Sequence, residues 1–494
     1  MQTPSQDRPP VAVIGAGPAG LAAAAHLVGR GLPVEVFEAG PRVAQNLASV
    51  GHVRLFSPWR YNVDRAARAL LQRAGHEVPD DDTLPTAGEL VDRYLVPLAR
   101  TPELEPHVHL GSRIIAISRV GVDKVRTEGR EQADFVLQVQ TAQGTQEWRA
   151  RAVIDASGTW AQPNPIGANG LPVPGEAEAA DRVAYGMPDI LGGARERYAG
   201  RRVLVVGAGH SAAGNLLALA QLAGEVPGTH VVWAVRGNDL RRLFGGGAND
   251  GLPARGALGE RLRSLVDASR LEVHLGFGIA AVTRGPKGLR VVAADAAKAA
   301  IDGIDEIVAA TGSRPDLGPA RELRVRLDPW LESAEALAPL IDPNVHSCGT
   351  VRPHGHRELA HPEPGFYAIG AKSYGRAPNF LMAAGHEQAR SVAAAIAGDL
   401  QAADDVQLEL PQTGVCSTDL ATMPLASGAE AGGCCGGPPK ADASACCVLD
   451  ETKKAAGEGG CGCGSAATSM PAPAPVAAQV PPVAKPRVRV ACCG

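Results

Sequence analysis

An α/β protein with two parallel sheets covered by helices follows from three features of the 494-residue sequence. Short apolar strands alternate with alanine-rich helices from residue 11 to about 400, as in "VAVIGAG", "PAGLAAAAHLVGRG" and "VEVFEAG". Strand, helix, strand at this spacing builds a parallel sheet covered by helices. The stretch "VAVIGAGPAG" at residue 11 returns as "VLVVGAGHSA" at residue 203, so the device that opens one sheet opens a second. Beyond Pro411 the composition turns to Gly, Ala and Pro with few large apolar groups. Such a segment cannot bury enough surface to offset the entropy of ordering, which predicts a disordered tail.

The remaining composition narrows the class. The length suits two or three domains. A formal net charge of -4, spread through mixed-sign sequence, gives no footprint for nucleic acid or an acidic membrane. No apolar run approaches the ~20 residues of a membrane span, and "MQTPSQDRPP" lacks the apolar core of a secretory signal. A soluble cytoplasmic protein is predicted. Of the ten cysteines only Cys348 precedes residue 411. The body is therefore read as free of disulfides, with Cys348 as a single buried structural thiol.

In the first turn Gly15, Gly17 and Gly20 form G-x-G-x-x-G between a strand and a helix. The first glycine permits the tight turn, the second lets backbone approach a diphosphate, and the third lets helix and strand pack closely. Glu38 ends the next strand, where a carboxylate can accept both hydroxyls of an adenosine ribose. The plainer alternative is a solvated strand-end carboxylate. A Rossmann-like site for FAD is predicted here, because the adenosine half of FAD has free ribose hydroxyls.

The second turn reads Gly207, Gly209 and Ala212, with Ser211 at the helix start and alanine in the permitted third place. The strand "HVVWAVRG" ends in Arg236 instead of an acid. A guanidinium binds a 2′-phosphate by paired hydrogen bonds where a carboxylate would repel it. This site is predicted to take NADPH in preference to NADH. Arg241 and Arg242 either assist or form an ordinary basic surface turn. Between the first sheet's early strands and its return, residues 107–158, "HVHLGSRIIAISRVG" to "RARAVIDASG", are predicted to form a β-meander.

With these motifs the chain resembles the flavoproteins that carry two dinucleotide-binding domains, and among them the flavin-containing monooxygenase-like branch, over residues 10 to 400. "VIDASGTWAQPNP" and "IVAATGSRPD", the latter containing Gly312, resemble that family's two crossover segments. "LPTAGELVDRYLVPLA" resembles its helix with a Tyr-Leu pair, here Tyr94 and Leu95. "GFYAIGAKSYGRAPNFLMAAGHEQARSVAAAIAG" resembles the strand and helix that close the flavin domain. The resemblance implies that Gly370, Asn379 and Phe380 lie at the flavin and that a helix N-terminus near Asn379 and Phe380 faces the ring. It implies an FAD domain in residues 10–190 and 326–400 and an inserted NADPH domain in 200–325, and the composition sets off a low-complexity tail in 411–494. The chain also departs from the family. The body has no C-x-x-C of thioredoxin-reductase type, and "VAYGMPDILGGARERYAGRR" stands where F-x-G-x-x-x-H usually precedes the second turn. Phe56 stands before Ser57 and Pro58 where Asn is frequent.

In the tail, Cys434 with Cys435, Cys446 with Cys447, Cys461 with Cys463, and Cys492 with Cys493 are adjacent or nearly so. Thiolate clusters select soft ions, and their spacing is not that of a zinc finger. A soft metal or trivalent arsenic is the candidate ligand, against the alternative of a chemically inert tail. The pattern resembles flavoproteins of bacterial arsenic-resistance operons, and "ACCG" resembles the thiol ends of mercuric reductase and some thioredoxin reductases. The leading expectation is an FAD- and NADPH-dependent oxidoreductase of monooxygenase type, with oxygen and a small soft nucleophile as co-substrates and no catalytic side chain assigned. A flavin reductase working through the tail and a metalloid sensor or scavenger are the alternatives.

Overall fold

The computed structural model describes residues 8–240, 244, 253–346 and 351–408. The chain divides into two compact units, Met1–Ala421 and Thr422–Gly494, and every described residue belongs to the first. Its strands run, in chain order, β1 (Val11–Ile14), β2 (Val34–Phe37), β3 (Val108–His109), β4 (Arg113–Arg119), β5 (Phe135–Thr141), β6 (Gly144–Ala150), β7 (Ala152–Asp155) and β8 (Val183–Tyr185). There follow β9 (Arg202–Val206), β10 (His230–Ala234), β11 (Glu272–His274), β12 (Ile279–Gly285), β13 (Gly288–Ala293), β14 (Ile301–Ile304), β15 (Glu306–Ala309) and β16 (Phe366–Ala368). Five helices matter below: α1 (Pro18–Gly29), α2 (Arg65–Arg73), α3 (His210–Glu225), α4 (Pro253–Asp267) and α5 (Met382–Ile396).

Two five-stranded sheets, each with all its pairings parallel, form the frame. One has the order β16-β7-β1-β2-β3 and the other β11-β10-β9-β15-β8. Their inner strands are continuous apolar runs, VAVI in β1 and VLVV in β9, because both faces of such a sheet are covered. The sequence predicts helical cover, and among the described residues the long helices lie on one face of each sheet. In the first, Leu21 of α1, Leu70 of α2 and Val392 of α5 pack on Val11, Val13 and Ile154. The opposite face, with Ala12, Ile14 and Val153, meets Ile117, Phe135 and Leu137 of the antiparallel sheet β4–β6. The second sheet has α3 and α4 on one face and the antiparallel sheet β12–β14 on the other. The expected meander is therefore shorter than residues 107–158. Its flanks β3 and β7 pair in parallel with the main sheet, and only Arg113–Ala150 turns antiparallel.

The "LPTAGELVDRYLVPLA" segment starts with a capping box between Thr86 and Glu89, then widens into a π-turn at Val91–Leu95. Tyr94 and Leu95 are fully buried in the helical layer, and Tyr94 Oη accepts the Asp64 backbone N–H at 3.2 Å. Their place is in the packing. No helix among the described residues is long and apolar enough to cross a membrane.

A buried ionic node joins the meander to the closing segment. Glu363, 1% exposed, accepts Arg119 Nε at 2.7 Å, Arg130 Nη2 at 2.7 Å and the Arg324 backbone N–H at 2.9 Å. Burial pushes its carboxyl upward, but the Arg324 N–H and the two guanidinium groups outweigh that and hold it below its ordinary value of 4.5. The node therefore contributes stability that is fully present above about pH 4.5 and is lost as pH falls through the lowered value. Glu363→Ala leaves two buried guanidinium groups without their anion and is expected to cost about 3–5 kcal/mol, read as a lower midpoint in urea unfolding.

Candidate functional site: two glycine turns

Each glycine turn follows the central strand of its sheet and opens a long helix. α1 begins with Pro18, whose missing N–H costs nothing in the first helical turn. The glycines divide by what demands them. At Gly15, with φ +98°, a Cβ would meet the Ala156 carbonyl oxygen at 2.8 Å, and at Gly20 it would meet the Gly15 carbonyl oxygen at 1.9 Å. A Cβ on Gly17 would meet nothing within 4 Å. The second turn repeats the division. Gly207, at φ +131°, would press a Cβ to 2.2 Å from the Ala310 carbonyl oxygen, while Gly209 has open space. Ala212, in the place of Gly20, is fully buried. Protein packing explains Gly15, Gly20 and Gly207. It does not explain Gly17 and Gly209, whose backbones lie at helix N-termini, where N–H groups and the helix dipole favour an anion.

A cavity of about 420 Å³ opens from the first turn and is lined by Gly15, Gly17, Glu38, Gly370, Lys372 and Phe380, among others. That is the size of a small-molecule site. Glu38 is half-buried and takes the Ala16 N–H at 2.9 Å on one oxygen and the Gly40 N–H at 2.8 Å on the other. It thus ties the turn after β1 to the strand end of β2, with lone pairs left for hydroxyl donors. Ala44, in the left-handed conformation at φ 51°, bonds its N–H to the Ala16 carbonyl and brings Gln45 and Asn46 to the cavity wall. The apolar wall comes from Ile14, Phe37, Trp160, Phe380 and Met382.

At the second turn, Trp233 Nε1 donates to the Gly207 carbonyl at 2.8 Å and fixes its orientation. Ser211 is half-buried in the first turn of α3. Arg236 is exposed just past β10, where Nη1 donates to the Ala168 carbonyl at 3.0 Å. The Phe56 ring lies 5.4 Å from that of His210 at the start of α3.

Some expected residues stand elsewhere. Asn379 does not line the cavity: it is buried, its Nδ2 donating to the Ile341 carbonyl at 3.1 Å. The closing helix begins at Met382, so its N-terminus is two residues beyond Phe380. Gly312 lies in the link between the sheets, where its carbonyl accepts the Asn164 N–H at 2.9 Å and Arg314 N–H reaches Gln162 at 2.9 Å. The two crossover segments are thereby joined as a short antiparallel ribbon. Arg241, Arg242, Cys348 and the eight paired tail cysteines fall outside the described residues. Among the described residues no group of three or more His, Cys, Asp or Glu side chains could hold a metal ion.

The buried pair Asp155–Lys372, with Nζ 2.6 Å from Oδ2, lines the same cavity and is not evident from the sequence. Its members are 217 positions apart and meet only because β7 and β16 are neighbours.

The arrangement defines a class, an α/β fold with two parallel sheets, each opened by a glycine turn. The NAD(P)-binding Rossmann-like domain family matches residues 13–79, the segment that holds the first turn and Glu38. No curated protein sequence matches the chain. Among solved structures, bacillithiol disulfide reductase from Bacillus cereus is similar with a TM-score of 0.57 at 18% identity, covering 79% of this chain and 99% of its own. Ornithine hydroxylase from Pseudomonas aeruginosa is similar with a TM-score of 0.53 at 15% identity, covering 80% of this chain and 100% of its own. Lactococcus lactis thioredoxin reductase gives 0.50 at 16% identity, with 80% and 99% covered. At these identities the likeness is one of fold.

Proposed function

We propose that the protein is an FAD- and NADPH-dependent oxidoreductase of monooxygenase type. The observation that carries this reading is the pair Gly17 and Gly209, two backbone positions kept free of a side chain at helix N-termini with no protein atom to require it. Two dinucleotides in one chain are economical as donor and acceptor of a hydride. Bound FAD would supply the redox chemistry. The residues supply the rest. Glu38 accepts ribose hydroxyls, the N-terminus of α1 holds the diphosphate, Phe380 and Met382 wall the cavity against water, and Arg236 selects the 2′-phosphate of the second nucleotide.

Oxygen is favoured over a disulfide as the electron acceptor because residues 1–415 contain one cysteine, Cys348. The disulfide-reductase relatives share the fold, but this body holds no cysteine pair. A soft nucleophile such as trivalent arsenic remains the substrate class suggested by the tail cysteines. Oxygen uptake driven by NADPH, measured with and without arsenite and repeated on a chain ending at residue 410, tests the reading. The full chain is expected to consume oxygen faster with arsenite, and the shortened chain to keep NADPH-driven uptake. Loss of NADPH oxidation on shortening would favour a reductase working through the tail, and tight arsenite binding without NADPH consumption would favour a scavenger.

A further inference from the structure

Among the described residues, five ionisable side chains line the cavity. Arg113 and Asp316 are exposed, Glu38 is half-buried, and only Asp155 and Lys372 are buried, at 1% and 5% exposure. Lys372 lies in the short turn Gly370–Tyr374 that follows β16, and its Nζ donates to Asp155 Oδ2 at 2.6 Å and to Ser157 Oγ at 3.0 Å. Ser157 in turn donates from Oγ at 2.7 Å and from its backbone N–H at 3.1 Å to Asp155 Oδ1. The ammonium is therefore held in one place by a fixed frame. A buried ion pair gains little stability over an apolar pair of the same volume, since desolvation consumes most of the attraction. Packing alone gives no reason for a charge here.

The strand order locates the pair along the cavity. Glu38 follows β2, the glycine turn follows β1, Asp155 ends β7 and Lys372 follows β16, and these four strands are successive neighbours. At about 4.8 Å per strand, the pair stands about 10–15 Å from Glu38, on the far side of the diphosphate turn. A dinucleotide held with its adenosine ribose at Glu38 and its diphosphate at Gly17 would have its other half on the side of Asp155 and Lys372.

We propose that Lys372, oriented by Asp155 and Ser157, is the positioning cation that sets the reduction potential of the bound flavin. A bound flavin would supply the hydride acceptor, gaining one negative charge as the nicotinamide donor is oxidised. A buried, fixed ammonium would offset that negative charge. Asp155 tempers the effect, so the potential reflects the pair.

The inference rests on the flavin reading, and one set of measurements separates the two. The midpoint potential of bound FAD is measured in the wild type, Lys372→Met, Lys372→Arg and Asp155→Asn. Lys372→Met is expected to shift the potential to more negative values, Lys372→Arg to hold it near the wild type, and Asp155→Asn to shift it to more positive values. If Lys372→Met does not fold, Asp155→Asn, which keeps the shape and the cation, carries the test. Bound FAD with the same potential in the variants that fold would overturn the role of Lys372 and leave the flavin reading intact. A wild type that binds no FAD would overturn both.

Discussion

Gly17→Ala is expected to give a folded protein that binds FAD about 10- to 100-fold more weakly, the scale of the charge-assisted hydrogen bonds a displaced diphosphate loses. Gly17 has φ -86° and ψ -173°, which alanine adopts freely, and open space beyond its Cβ. Stability should change by no more than about 1 kcal/mol, the usual cost of alanine at a helix N-cap. Gly20→Ala is the contrasting control. Its Cβ would fall 1.9 Å from a backbone oxygen, so α1 must move off β1, at about 1–3 kcal/mol or more. Thermal unfolding and a fluorescence titration with FAD separate the two. Equal loss of stability in both variants would mean that Gly17 is a packing residue and no ligand approaches it.

Arg236→Ala is expected to raise the KM for NADPH about 10- to 100-fold, as loss of a charge-assisted contact to a phosphate does, and to leave that for NADH nearly unchanged. The arginine is exposed and anchored by one bond to the Ala168 carbonyl, so removing it should leave the second sheet intact. Initial rates with the two nucleotides at several concentrations decide it. A parallel rise in both constants would assign Arg236 to general structure and leave nucleotide preference to other groups.

The two turns were legible because their signal is local. Strand, turn and helix are consecutive residues, and the division of labour between Gly15, Gly17 and Gly20 is set by backbone atoms within that unit and the neighbouring β7 end at Ala156. The place of Glu38 at the end of β2, against the first turn, is legible for the same reason, at one strand's remove. What the sequence did not show depends on pairings between distant segments. Asp155 and Lys372 each look unremarkable in "VIDASG" and "AIGAKSYG", and become a site only when β16 pairs with β7. The contact of Phe56 with His210 arises in the same way. The sheet β12–β14 is not legible in the local pattern because Ile301 and Ile304 of β14 stand three residues apart, off the two-residue period of a strand. Asn379, which the resemblance alone puts at the flavin, is buried away from the cavity, its amide donating to the Ile341 carbonyl.

The most direct test is an anaerobic titration of the FAD-loaded protein with NADPH, followed by the flavin's visible absorbance. Two dinucleotide sites built for hydride transfer require bleaching with about one equivalent of NADPH per bound FAD, and weaker reduction by NADH. A protein that holds FAD but is not bleached by NADPH would contradict the pairing of the two turns as donor and acceptor.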